Sequence, residues 1–237
     1  MNKKVLSFFS LLIIALSGFG QQFPQGYSDE PKFVDKLELG RGILITYNLE
    51  PTFGLKGTPY LFEEFQDGEF FFRDRKKITD LKINYNCTTG DLLFSYDGKN
   101  YITTRDDIDY FVIFPSQVDT FILFNKQLLP NEKRPEYLEI LYDQHSILFK
   151  RHMKIFKEAQ VKTPYHAEKD YNEYIDKTEY FLKLSNNKII SLKPKIKTIL
   201  SVFPDKADQI RDFIKNEKTR LKNETDLIRT VKYCDSL

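Results

Sequence analysis

Residues 81–114 read LKINYNCTTGDLLFSYDGKNYITTRDDIDYFVIF, and their pattern decides the fold class. Leu81, Ile83 and Tyr85 alternate with Lys82, Asn84 and Asn86, the period of a strand with one buried face. Cys87-Thr88-Thr89-Gly90 is a turn, after which Leu92, Phe94 and Tyr96 resume the alternation. Asp97-Gly98 then marks a two-residue hairpin, because a type I′ turn needs positive φ at both central positions. Residues 100–104 return as the partner strand. Residues 109–114, DYFVIF, are apolar on both faces and predict a central strand covered from both sides.

Downstream, strand signals continue over 118–124, 137–142, 146–150 and 154–158. Residues 162–177, KTPYHAEKDYNEYIDK, are polar and unpatterned and predict a loop. Ser185-Asn186-Asn187 separates two further short strands. The period then changes. Ile196, Ile199, Leu200 and Phe203 fall at helical spacing, with Pro194 near the start. Pro204 opens a second helix carrying Ala207, Ile210, Phe213 and Ile214. Asn223 caps a third, which runs through Leu227, Ile228 and Val231. Many antiparallel strands followed by helices define an α+β fold: a β-rich meander, as a curved sheet or open barrel, then two or three C-terminal α-helices.

Upstream, residues 42–49 (GILITYNL) predict a first strand and residues 21–40 an irregular lead-in. Residues 1–20, MNKKVLSFFSLLIIALSGFG, join Lys3 and Lys4 to an apolar run and small residues, the order of a secretory signal peptide. The run is shorter than the roughly 20 residues a membrane span needs. The expected organisation is a leader over 1–20, a β-rich domain over 21–193, and a helical segment over 194–237 packed on the sheet. Export to the periplasm or beyond, as a soluble chain without stable membrane insertion, is the expected location.

The net charge of +2 falls to zero when Lys3 and Lys4 are removed. Residues 21–150 hold 15 Lys/Arg against 21 Asp/Glu, and residues 151–237 hold 19 against 13. The simpler reading is two halves that attract each other within one fold. The functional reading is a basic C-terminal face for an acidic partner such as an anionic lipid. Nucleic acid is not an expected partner after export. The cysteines Cys87 and Cys234 are a disulfide candidate, which would stabilise the fold by roughly 5 kcal/mol in the chain-entropy view. The competing reading is two buried thiols, because Cys234 continues the apolar stripe of Leu227 and Val231.

The segment KGTPYLFEEFQDGEFFF (56–72), the strands leading to DYFVIF, and the tail FPDKADQIRDFIKNEK…DLIRTVKY resemble a group of small exported proteins from Bacteroidota. Those proteins share a KG-S/T-PYL…F…G segment and a basic helical tail. The ending Tyr233-Cys234-Asp235-Ser236-Leu237 departs from theirs. The resemblance implies an envelope or secreted location and transfers no catalytic residues.

Motifs for catalysis are few. His145 and His152 stand seven apart, an odd separation that puts them on opposite faces of a strand. His166, Glu168 and Asp170 alternate in the polar stretch, a spacing that chance supplies easily. No Gly-x-Ser-x-Gly elbow, dinucleotide fingerprint or phosphate loop is present. No cofactor or metal is expected. The aromatic residues Tyr60, Phe62, Phe65, Phe70, Phe71 and Phe72 have two readings: core filling, or the lining of an apolar ligand cleft. The leading expectation is a non-catalytic envelope protein that binds another protein or envelope component. A carrier of an apolar or lipid-like ligand, held near Tyr60, Phe62, Phe65, Phe70 and Phe72, is the alternative. A hydrolase with a dispersed site is the third.

Overall fold

The computed structural model describes residues 22–29, 45–46, 55–96, 99–103, 106–159 and 171–237. The leader, its cleavage point, His166 and most of the expected first strand lie outside the described residues.

Thirteen strands are present among them: β1 (Ser28–Asp29), β2 (Ile45–Thr46), β3 (Leu55–Lys56), β4 (Gln66–Phe72), β5 (Lys76–Tyr85), β6 (Leu92–Tyr96), β7 (Lys99–Thr103), β8 (Ile108–Phe114), β9 (Ile122–Gln127), β10 (Glu136–Asp143), β11 (Ile147–Lys157), β12 (Asn172–Lys183) and β13 (Ile189–Ser191). Eleven form one antiparallel path, β13-β12-β11-β10-β9-β8-β4-β5-β6-β7-β2. Three helices follow: α1 (Ile196–Val202), α2 (Ala207–Asn216) and α3 (Glu224–Ser236), with a 3₁₀ turn at Pro204–Lys206 before α2. The chain is therefore α+β, with the change from strand to helix between Ser191 and Ile196.

β8 stands at the middle of the path, and Phe111, Val112 and Ile113 are wholly buried. Alternation sends Phe111 and Ile113 into one core cluster and Val112 into another on the opposite face. Tyr96 pairs with Lys99, which leaves two residues for the Asp-Gly connection, itself outside the described residues. Gly68 is required by close approach: a Cβ there would lie 2.5 Å from Val112 O of the neighbouring strand.

The polar stretch expected to be a loop is partly strand. Residues 173–177 pair with 153–157 of β11. Cross-strand partners supply what periodicity lacked: Lys154 with Asp176, Lys157 with Glu173 at 3.2 Å, and the Phe156 ring 5.3 Å from Tyr174.

The sheet curls. On a flat sheet, six strand steps of about 4.8 Å would separate β12 from β5 by about 29 Å. Yet Lys56 pairs with Glu173 of β12, and Tyr60 bridges Asn86 just beyond β5, a span of at most about 14 Å for four residues. Leu61 N donates to Tyr85 O and Cys87 N to Pro59 O, fastening the same segment to the end of β5.

Both faces are covered. Phe70, Phe72, Ile83, Tyr85, Phe111 and Phe124 pack together on one. Phe23 and Tyr27 lie across the other, in ring contact with Phe71. Leu148 and Leu182, on the same face as Phe111, meet the helices through Ile199, Ile210, Leu227 and Val231. The expected cap of α3 is present, with Asp226 N donating to Asn223 Oδ1 at 2.7 Å. Ile196 departs from the expected apolar stripe of α1 and is 41% exposed.

Candidate functional site

A cleft of about 820 Å³ opens where the curled sheet brings the β5–β6 turn near β11. Its first wall is that turn. Asn86 Oδ1 accepts from Thr88 N (2.9 Å) and Thr89 N (3.1 Å), and Gly90 takes positive φ to complete the reversal. Thr88 Oγ1 donates to Lys154 O at 3.2 Å and ties the turn to β11.

The floor is aromatic and buried. Tyr137 OH donates to Ile108 O at 3.0 Å, and its ring meets Tyr85 and Phe111 edge-on. Burial raises the pKa of both Tyr85 and Tyr137, so both phenols are neutral. Burial also pushes the Cys87 thiol up to about 12, with Lys154 pulling weakly the other way. That thiol is no ready nucleophile.

The opposite wall is ionic. Arg151 forks onto Glu136 through Nε (2.7 Å) and Nη2 (2.6 Å), and its Nη1 reaches Glu132 at 3.1 Å and Glu179 at 3.4 Å. Lys126 sits 3.5 Å from Asp106 and 5.5 Å from the Tyr137 ring centre, and Lys154 pairs with Asp176. At the lip, Lys133 and Arg134 are exposed, and neither has an ion-pair partner among the described residues.

His152 Nε2 meets Glu139 Oε2 at the inner end of the cleft. Glu139 belongs to a chain of charges running under the helices. Lys150 Nζ lies 3.6 Å from Glu139 and 2.8 Å from Glu224 at the start of α3, and Tyr180 OH donates to the same Glu224 oxygen at 3.1 Å. Burial opposes the charge on Lys150, but the two carboxylates outweigh it and raise its pKa. His145 is elsewhere, highly exposed in the β10–β11 turn and 3.9 Å from Asp235.

The aromatic segment lies apart from this cleft. Phe70, Phe71 and Phe72 fill the core, Tyr60 is buried at the Asn86 bridge, Phe62 packs against the same cluster, and Phe65 is half-buried. None of them lines the cleft. Cys87 and Cys234 are free thiols in different core clusters, the buried-thiol reading of the two the sequence left open and not the disulfide. The physical reason is that each completes a separate apolar layer, Cys87 at the β5 end and Cys234 on the buried face of α3. Among the described residues no group of three or more His, Cys, Asp or Glu is arranged to hold a metal ion. No helix of the described residues is long and apolar enough to cross a membrane.

Sequence reasoning passed over Glu139, Lys133 and Arg134, and weighed His152 only as a partner of His145. A signal for Glu139 existed: it is a lone carboxylate in YLEILY (137–142), an otherwise apolar strand, and such a residue needs a buried partner. Compared with protein-family models, curated proteins and solved structures, the chain matches none.

Proposed function

We propose that this chain is a non-catalytic exported protein that binds an anionic envelope component, or an acidic segment of another protein, in the cleft between the 86–91 turn and β11. The observation that carries this reading is the pair Lys133 and Arg134. The other Lys and Arg side chains of the lining have carboxylate partners, while these two face solvent at the lip without one among the described residues. A polar cleft with fixed internal ion pairs and free cations at its mouth attracts an anion without having to break its own walls. Native mass spectrometry of the chain isolated from its host's envelope tests the idea. A mass excess that disappears on denaturation, and in Lys133→Glu/Arg134→Glu, supports it. A retained mass or partner that the double variant leaves unchanged refutes it.

A hydrolase is the second reading, and the contact between His152 and Glu139 favours it. A carboxylate on one ring nitrogen leaves the other to act as a general base. With the Cys87 thiol held neutral by burial, water is the nucleophile that this pair would activate. Ester and glycoside panels measured with His152→Ala decide it, since hydrolysis that survives the substitution does not come from this site.

A further inference from the structure

We propose that the terminal edge of the sheet and the start of α1 form a docking surface for an anionic lipid bilayer, independent of the cleft. Residues 180–204 contain five lysines and no acid. Lys183 is half-buried near Asp143, whose pKa burial raises and the Lys183 charge pulls only partly back. The other four, Lys188, Lys193, Lys195 and Lys197, are exposed, and none has an ion-pair partner among the described residues. They bracket β13, the last strand of the sheet, and continue into the first turn of α1.

Local folding rules do not account for them. Lys195 occupies the N-cap of α1 and makes no capping hydrogen bond, and the first turn carries no acid. A helix start favours Asp, Ser or Asn at that position and negative charge beyond it, so three lysines there work against the helix. Protection of an open edge strand is also a poor account, because β13 itself carries no lysine and three of the four lie beyond it. Between Lys195 and Lys197, Ile196 leaves 41% of its surface exposed while Ile199 of the same helix is buried.

An apolar side chain flanked by flexible ammonium groups fits a diffuse anionic interface. The ammoniums meet lipid phosphates in no fixed geometry, and the isoleucine enters at headgroup depth. Arginine forks, which suit discrete carboxylates on a protein partner, are absent from residues 180–204. With no membrane-crossing helix among the described residues, such contact would be peripheral.

Cosedimentation of the full chain with phosphatidylcholine vesicles, with and without phosphatidylglycerol, tests the proposal. The difference between the two vesicle types reads the charge contribution, and the fourfold glutamine variant, which keeps residues 1–20 with Lys3 and Lys4 unchanged, separates these lysines from any binding by that segment. Binding should favour the anionic vesicles, weaken with salt, and fall about fivefold per lysine replaced by glutamine. Ile196→Ser should lower it less. Lys195→Asp/Lys197→Glu separates docking from folding: the new N-cap should raise the melting temperature while binding to anionic vesicles drops. Equal binding to both vesicle types, no binding, or binding unchanged in the fourfold glutamine variant overturns the proposal. Self-association that is lost in that variant, without vesicle binding, assigns these lysines to an acidic protein surface and overturns it equally.

Discussion

A single row of residues crosses the sheet and changes character halfway. At one end Phe70, Phe111 and Phe124 pair in turn across β4, β8 and β9; at the other, Glu139, Lys150 and Tyr180 continue the same register across β10, β11 and β12. Directly opposed residues share a face, so both halves face the same side. The aromatic half closes on itself, with Phe111 stacked on Phe124 at 4.4 Å between ring centres. The charged half is completed from outside, by Glu224 of α3. Cohesion in the first half is non-directional and depends on volume. In the second it depends on matched pairs, and there the sheet meets both the cleft and the helical cap.

Phe111→Ala should break the aromatic half with the largest effect, about 3–5 kcal/mol by denaturant unfolding, because neighbouring rings on three strands cannot collapse into the void. A loss below about 1 kcal/mol would mean that the stack is not the centre of the core. Glu139→Ala attacks the other half. Removing one member of a buried pair costs about 3–5 kcal/mol; here we expect about 2, since Glu224 still holds Lys150. Glu139→Gln, which keeps an acceptor, should recover part of that loss. An unaltered midpoint in both variants would show that the charged row contributes nothing to folding.

Asn223→Ala removes the cap of α3 and should cost about 1 kcal/mol, with faster amide exchange confined to the helical end. Exchange that rises equally in β8 would erase the distinction between the halves.

The gentlest probe needs no substitution. Cys87 reports on the aromatic half and Cys234 on the helical half, and burial pushes each thiol from 9.0 up to about 12. The unfolded chain ionises these thiols first. Stability is therefore intact below pH 9 and falls as pH rises from there towards 12, and the raised pKa values of Tyr85 and Tyr137 act in the same direction. Below pH 9, iodoacetamide should modify both thiols slowly. Cys234 should react before Cys87 if the helical cap opens ahead of the sheet, and simultaneous labelling would indicate one cooperative unit.

Much of the fold was legible because its signals are local. Alternation in 81–96 and the apolar run at 109–114 require only neighbouring residues to declare a half-buried and a doubly covered strand. The three helices and the Asn223 cap were equally plain. Residues 173–177 were not, because their pairing with β11 substitutes for a pattern they lack. The cleft was less visible still. Thr88, Lys126, Arg134 and His152 come from separate elements, and nothing in their spacing announces that they line one space.

The amino-acid order alone determined the segments whose strand or helix period is plain and which of their residues have an apolar side to bury, since side-chain period and capping chemistry act over a few residues. The tertiary structure decided the rest. Curling of the sheet brought the 86–91 turn to β11 and so made the cleft, and register set Glu139 opposite Lys150. Packing sent Cys87 and Cys234 into separate layers. Each of these depends on contacts between residues distant in the chain, which only the curled sheet and its helical cap can bring together.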